Sequence, residues 1–589
     1  MALLQALVVA LVALSAAPGW LFYFDVTPKA VVLLAGVAAV LVAGYALPHG
    51  RGSDQSRARQ QAVFMWLLVG SLASLAISTA LSPHPTLSLF GSTWRRFGLV
   101  TQAAILLFAW TVRPSAVLPR IISTAGALTA LYGIGQYFGW DPFFPAAQYH
   151  IGEGIWTIVR PPGTLGYVSY FATWLLMCGF LGLWLGSTDE DPLWRRAGYI
   201  SAALCFAAMA LTGTRAALLG LAAGAAVWLW MRGFRIPRRV LVAAALVTAA
   251  GAIFYFSPAG WNLRSRSRWF VEDPFGGARP LLWRDSLRMG GHRLAAGFGP
   301  EVFTGAFPQF ESRELARAYP DFAHESPHNI FLDALVSQGI LGLVCLAALC
   351  GLALVAAWRR KQAWLASALA AGIVAQQFTV FTIPTALLFY TVLALCISGG
   401  PGAVAFPRWA WARFPIAAAL LFCAVRLTVA DHALELTARA RDPQTAARHY
   451  AQYEKWKLPG ASADLWYSRN LLAMAEKAPN PLFRLQSMGQ AGIAGEHATR
   501  SAEDPFDAWY NLATLYAAQN DAAGTEHSLR RAIAAHPNWF KPHWTLAQVL
   551  RLEGRIPEAL EQAETAADLN AGRNPEVAAT LSQIRALQK

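Results

Sequence analysis

Residues 297–343 contain, in order, GFGPEVF (297–303), HESPHNIFLD (324–333) and QGILGL (338–343). This is the C-terminal end of the longest polar loop between apolar runs, and an apolar helix follows it at once. Ser326 reads as an N-cap and Pro327 as the first helical residue, which puts His328 and Asn329 in the first turn. A histidine there feels the positive end of the helix dipole, which disfavours the imidazolium. The pattern is that of a neutral base at a membrane surface.

The chain around it has 589 residues, 56% hydrophobic and only 14% charged, and its apolar runs recur at membrane-spanning length. A soluble protein of this size needs more charge to cover its surface. The C-terminal part differs, being rich in Ala, Glu, Gln and Arg. The fold class read from this is all-α: a polytopic membrane domain over 1–430, with a long outward loop at 258–328, then a soluble helical domain over 431–589. The net charge of +14 comes mostly from arginines clustered beside apolar runs. Topology and anionic lipid head groups explain that basicity, and nucleic acid is not an expected partner. The six cysteines all lie within apolar runs, with neither a disulfide framework nor zinc spacing, and read as buried small hydrophobes.

Residues 1–20 fit a first span better than a signal peptide, because no Lys or Arg precedes the apolar core. Further runs follow at 29–47, 61–81, 97–112, 117–138, 167–186, 197–213, 215–231, 239–257, 329–357, 363–381, 384–398 and 414–430. The expectation is about thirteen transmembrane helices. With the N-terminus inside, alternate loops carry Arg51/Arg57/Arg59, Arg113/Arg120, Arg195/Arg196, Arg232/Arg235/Arg238/Arg239, Arg359/Arg360/Lys361 and Arg408/Arg413. The opposite short loops carry far fewer, so the positive-inside rule turns the 258–328 loop and the C-terminal domain outward, to the periplasm of an inner (plasma) membrane where the cell has one.

The C-terminal domain holds a weak 34-residue repeat, in which Tyr510, Leu512, Ala513, Tyr516 and Ala532 align with Trp544, Leu546, Ala547, Leu550 and Ala566. Period and pattern are similar to tetratricopeptide repeats, which would make a concave surface for a protein partner. A plain helical spacer is the simpler alternative.

Charges that interrupt apolar runs are costly and therefore informative. Arg215, after Thr212-Gly213-Thr214, opposes the dipole of the helix it begins, so it reads as a fixed cation for an anionic ligand, with head-group anchoring as the simpler role. Arg284 lies on an amphipathic stretch, Leu-Leu-Trp-Arg-Asp-Ser-Leu, among loop arginines that include Arg266 and Arg279. Arg96, in an outward Trp-Arg-Arg, and Arg160, in Val-Arg-Pro-Pro-Gly-Thr, are further candidates. His324 and His328 fit H-E-x-x-H, but Pro327 breaks the helix that a zinc site of that type requires, and no metal or other cofactor is expected.

In order and placement these segments resemble the O-antigen ligase and O-antigen polymerase superfamily of bacterial membrane glycosyltransferases. The resemblance rests on Gly-Thr-Arg-Ala-Ala-Leu (213–218), Leu-Trp-Arg-Asp-Ser-Leu (282–287), Gly-Phe-Gly-Pro (297–300), Pro-His-Asn-Ile-Phe-Leu (327–332) and Gln-Gly-Ile-Leu-Gly-Leu (338–343). It covers roughly residues 60–400 and departs from the family at 163–169, where Tyr167-Val168-Ser169 stands in place of a frequent Asn-Pro-Asn. The resemblance implies a GT-C-like helical fold and metal-independent, inverting transfer of a glycan from an undecaprenyl-pyrophosphate carrier to an acceptor hydroxyl. It implies His328 with the pyrophosphate-binding Arg215 and Arg284 as the catalytic set, and the further candidates read from the sequence, Arg96, Arg160, His324 and Asn329, are expected to bind substrate.

The acceptor it implies is a glycan (lipopolysaccharide core or growing polysaccharide) or a protein. Ligase, polymerase and protein O-oligosaccharyltransferase share these motifs, and a transporter or scaffold is the non-enzymatic alternative. The enzymatic expectation demands that Arg215, Arg284 and His328 converge on one outward cavity.

Overall fold

The computed structural model describes residues 1–43, 55–144, 148–153, 156–234, 236, 238–272, 277–398, 410–501 and 503–588. The expected cluster residues Arg51, Arg235 and Arg408 lie outside the described residues. Each apolar run falls on a helix, from Ala2–Leu14 to Arg413–Arg439. Among the described residues, five of these are long and apolar enough to cross a membrane: Arg59–Ala80, Val117–Tyr137, Val168–Thr188, Ile330–Arg359 and Arg413–Arg439. A sixth would be Leu241–Phe256 with Pro258–Ser267, which turn 85° at their junction. The remaining apolar helices, such as Thr27–Ala43, Leu99–Thr111 and Ala363–Ala375, are shorter. Polar breaks set those lengths: Ala363–Ala375 ends at Gln376-Gln377, and Ile383–Ile397 begins behind the capping box of Thr382 and Thr385.

Small residues let the helices meet closely. A Cβ on Gly182 would sit 2.7 Å from the Gly198 carbonyl oxygen, so Val168–Thr188 and Pro192–Leu211 touch backbone to backbone. All six cysteines are free and buried in this packing. The expectation of purely helical structure needs one correction. His150–Glu153 and Trp156–Val159 pair as an antiparallel hairpin, because that stretch is too short and polar to bury a helical face.

Contacts sort the loops into two ends of the bundle. At one end the Arg120 guanidinium forks onto Asp189 at 2.8 and 2.7 Å, and Arg360 donates to the Cys396 carbonyl. At the other, Tyr23 N–H donates to Asp431 at 3.0 Å, and the His432 ring lies against the Trp20 carbonyl. The Arg413–Arg439 helix runs unbroken past residue 430 into the C-terminal helices. These pair as helical hairpins, Asp464–Glu476 with Pro481–Ala498, Pro505–Ala518 with Ala522–Ala535, and Phe540–Leu552 with Ile556–Asn570. The aligned positions Leu512/Leu546, Ala513/Ala547 and Ala532/Ala566 are all buried between them.

The 258–328 loop folds as a small layer of short helices around Leu282, Met289, Val302, Phe307 and Leu315. It docks on a break in the Ile330–Arg359 helix, where Gly339 leaves helical geometry at φ 69°. The break frees carbonyls that the turn takes up: Phe298 N–H donates to Val336 O at 2.8 Å and Gly299 N–H to Ser337 O at 2.9 Å. In return Ile340 N–H donates to Leu294 O at 2.8 Å. Both glycine motifs therefore meet in one joint. A Cβ at Gly297 would lie 2.5 Å from the Ser337 carbonyl, and one at Gly339 would lie 2.5 Å from Leu294 O, each at positive φ. Gly297→Ala and Gly339→Ala should each lower stability by about 1–3 kcal/mol. Gly351→Ala in the same helix, where a Cβ meets nothing within 4 Å, should not. Thermal unfolding of the detergent-solubilised protein reads the difference.

Candidate functional site

Five loops at the repeat-domain end of the bundle enclose a cavity of about 490 Å³. They contribute Tyr23, Asp25 and Lys29, then Trp94 and Arg95, then Gly166, Tyr167 and Tyr170, then Phe322, Glu325 and His328, and finally Thr382 with Pro384. Gly166 and Tyr167 come from the 163–169 segment, which therefore forms part of the cavity wall.

The cavity's arginine is one that the sequence pointed past. Arg95 is buried and meets Glu301 at 3.1 Å and Asp333 at 3.6 Å, while its Nε donates to the Phe381 carbonyl at 3.1 Å. Glu301 follows directly on the docked Gly297–Pro300 turn, and its other oxygen accepts from Ser92 N–H and Oγ–H. One cation thus ties the turn, the first turn of the Ile330–Arg359 helix and the 376–382 loop together. Its neighbour Arg96 has φ 53° and points away from this cavity, against the Tyr23 ring and towards Glu503 and Asp431. Adjacent side chains on a turn diverge, and only the backbone conformation decides which enters the cavity.

His328 is on the wall, with the local geometry differing from the sequence reading. The helix starts at Ile330, and its N-cap is Asn329, whose Oδ1 accepts from Phe331 N–H at 3.0 Å and Leu332 N–H at 3.2 Å. Ser326 is not the cap, and residues 326–329 precede the helix. The chain reverses at His328, φ 50°, before the cap, so the cap falls where extended backbone meets the helix rather than beside the proline. Trp283 Nε1–H holds the Pro327 carbonyl at 3.1 Å, and Ser326 Oγ lies 3.4 Å from His328 Nδ1. The imidazole is pushed down to about 4, by burial first and then by the positive charges of Arg279 and Arg95. The neutral state expected from a helix dipole is thus the work of desolvation and two guanidiniums. Burial also raises the Glu325 carboxyl above its usual range, against the pull of Arg95.

The other expected residues are placed as follows. Arg284 is half exposed and already engaged, by Asp285 at 3.0 Å and Glu314 at 3.0 Å. Its motif works through its neighbours, since Trp283 braces Pro327 and buried Asp285 accepts from Ser312 N–H and Oγ–H. Arg215 begins the Arg215–Met231 helix after the Thr214 N-cap and does not line this cavity, and neither does Arg284, so of the catalytic trio the cavity holds His328 alone. Arg160 lines an adjoining cavity of about 170 Å³ that shares Asp25, Gly166 and Tyr167 with the first, and its Nε is buried without a hydrogen bond. His324 sits behind the wall, boxed by Phe307, Tyr319 and Phe322, 3.8 Å from Glu311. Asn329 is spent on its own helix.

The C-terminal helices clamp the loop that delivers His328. Buried Glu311 accepts from His536 Nε2 at 2.7 Å, and Asn538 donates to the Glu311 carbonyl. Trp539 Nε1–H and Lys541 meet Asp321, Arg317 forks onto Asp568, and Arg573 holds the Ala318 carbonyl.

A cavity that carries a histidine, an arginine and a lysine on its wall, at one end of a bundle of apolar helices, defines a membrane protein with a site among its loops. Residues 200–347 match a family model described as O-antigen ligase. The match contains Arg215, Arg284, His324, His328 and Asn329, and omits Arg95, Arg160 and the C-terminal helices. The chain is also 28% identical over 229 residues to an O-antigen ligase of Pseudomonas aeruginosa PAO1, an alignment covering 36% of this chain and 51% of that protein. It therefore spans about half the length of that curated relative.

Both His324 and His328 are pushed down to about 4, His324 by burial and then by His328 and His536. An unfolded histidine titrates near 6.5, so between about 6.5 and 4 the unfolded chain binds more protons. Their contribution to stability is complete above that window and is lost as pH falls through it. In thermal unfolding from pH 7 to 4, a His324→Gln/His328→Gln double variant should lose less stability than the wild type. An equal loss would contradict the buried neutral assignment.

Proposed function

We propose that the protein transfers a glycan from an undecaprenyl-pyrophosphate carrier to an acceptor hydroxyl, in surface polysaccharide assembly. The observation that carries this is the placement of His328 on the wall of a cavity that Arg95 and Lys29 also line. The acceptor oxygen attacks the anomeric carbon while the bond from that carbon to the pyrophosphate oxygen breaks. The leaving pyrophosphate keeps the electron pair, and the acceptor's proton passes to His328. In the tautomer whose Nδ1–H donates to Ser326 Oγ, 3.4 Å away, Nε2 is the nitrogen that accepts it. A single displacement of this kind inverts the anomeric centre.

Guanidiniums near His328 stabilise the charge that grows on the leaving group without a metal. Arg279, whose field acts most strongly on His328 among the arginines, and Arg160 at the adjoining cavity are suited to that task. The expected convergence of Arg215 and Arg284 with His328 is not met in this cavity, so the proposal rests on His328 and its nearby cations, and the two arginines stay in it only as the residues that the resemblance matched. For Arg284 this requires release from Asp285 and Glu314. The thirteen-span topology, the outward placement of this end, and tetratricopeptide-type pairing of the C-terminal helices belong to the same reading. The positive-inside pattern and the 34-residue period support them. In place of a recruiting surface alone, the clamp on Glu311 and Asp321 gives the repeats a role within the chain.

In a strain lacking its own ligase, wild-type protein should restore a glycan-bearing product. His328→Ala at matched membrane levels should lower the rate by roughly a hundredfold or more. Arg279→Ala should lower it as well, whereas Arg96→Lys should leave most of the activity. Equal product from wild type and His328→Ala would remove His328 as the base. The product, a modified lipid, a longer polysaccharide or a glycosylated protein, separates ligase from polymerase and protein transferase.

A further inference from the structure

A third cavity, of about 320 Å³, opens between the bundle loops and the repeat domain. Its bundle side is Tyr23, Thr93, Trp94 and Thr304, and its repeat side includes Trp466, Arg469 and the run Glu503, Asp504 and Asp507. Tyr23 and Trp94 line both this cavity and the one holding His328, so the two share a wall. The geometry points to this interdomain cavity as the acceptor subsite, taking an uncharged, hydroxyl-rich saccharide terminus in preference to a phosphorylated one. This rests on the transferase reading and adds the acceptor's chemical class and the contribution of the repeat domain.

Three features argue for a neutral saccharide. First, Trp94, Trp466 and Tyr23 offer aromatic faces, and an aromatic ring buries the apolar C–H face of a pyranose while leaving its hydroxyls at the rim. Second, the rim is rich in groups that accept from hydroxyls, the three carboxylates together with Ser462, Ser501 and Thr304. Third, among the described residues lining the cavity Arg469 is the only cation, and Asp507 already engages it at 2.5 Å. A phosphate entering here would meet Glu503, Asp504 and Asp507 with no second guanidinium among the lining residues, since Arg96 lies behind Glu503 and off the wall, and like-charge contacts disfavour such a ligand. Burial pushes Glu503 and Asp504 up to about 7, so each also has a protonated form that donates to a sugar oxygen.

A second neighbouring cavity differs in composition. It shares Asp25, Gly166 and Tyr167 with the His328 cavity and is lined by Arg160, whose Nε is buried without a hydrogen bond. The His328 cavity thus adjoins one cavity that holds a cation with a single carboxylate, Asp25, and another whose charge is mainly carboxylate.

The fixed parts of the repeat side explain why the cavity is open but held. Glu503 accepts from Thr93 N–H at 2.6 Å and from Thr93 Oγ–H at 2.9 Å, fastening the repeat domain to the Trp94–Arg95 turn. Occupancy of this cavity therefore bears directly on the turn that places Arg95 beside His328.

The test uses full-length protein in lipid nanodiscs and the host's own surface oligosaccharides, released and separated into unphosphorylated and phosphorylated pools. Calorimetry should show the unphosphorylated pool binding at least tenfold tighter. Trp466→Ala, confirmed folded by thermal unfolding, should weaken that binding and raise the acceptor KM roughly tenfold, about the value of one aromatic face. It should leave the donor KM and kcat near wild type, and His328→Ala should keep the binding while losing transfer. Equal or tighter binding of the phosphorylated pool, absence of saccharide binding, or an acceptor KM unmoved by Trp466→Ala overturns the subsite. Saccharide binding by a wild type that transfers nothing overturns the transferase reading instead, so the two failures are distinct.

Discussion

The structure depends on the joint where the Gly297–Gly299 turn takes up carbonyls released by the break at Gly339. A continuous helix would have kept the Val336 and Ser337 carbonyls for its own amides, and a side chain at either glycine would have held the two backbones apart. From that joint the placement of the site follows in a closed circuit. The turn ends in Glu301, Glu301 fixes Arg95, and Arg95 reaches Asp333 in the first turn of the broken helix. His328 stands just ahead of that turn, so the element that bears it and the element that braces it are locked by the same contacts.

Electrostatics then give the site its character. Burial of an imidazole between two guanidiniums keeps it neutral, and the same cations suit an anionic group brought alongside. The chain carries acids and bases in tight opposition here: Arg95 faces Glu301, Asp333 and Glu325, while Arg96, one residue on, faces Glu503 and Asp431 across the repeat-domain interface. The repeat domain is accordingly part of the site's construction. It grips the 307–325 segment through Glu311, Asp321 and Arg317 and the 92–96 turn through Thr93, the two loops that bring His328 and Arg95 to one cavity.

Much of this was legible in the sequence. The helical class, the apolar runs, the helical C-terminal part and the two glycine motifs were written in composition, periodicity and punctuation, which are local signals. His328 was legible because Pro-His-Asn ahead of an apolar run marks a helix entrance. What was not legible depends on tertiary placement. Ser326 and Asn329 are both good caps, and the left-handed turn at His328 decides between them. Arg95 and Arg96 are chemically identical, and the backbone at Arg96 alone turns one into the cavity and the other away. Arg284 stood out beside a tryptophan, but the tryptophan and aspartate flanking it hold the loop, and its guanidinium is taken up by carboxylates that no spacing rule reveals. The 363–381 run extends past its helix, which stops at Ala375, because apolar residues resume beyond Gln376-Gln377 and composition does not register the break.

The central claim is that His328 is held neutral inside the cavity, and its protonation state measures that directly. Histidine-selective ¹⁵N NMR of the full chain in lipid, with His328→Gln subtracted to isolate the resonance, would follow the ring from pH 8 to pH 4. The account predicts a neutral imidazole throughout the physiological range, with protonation beginning only as pH approaches about 4. A midpoint at or above the ordinary value near 6.5 would contradict it. That result would mean the ring is solvated or paired with a carboxylate, and that burial beside Arg279 and Arg95 does not set its charge state.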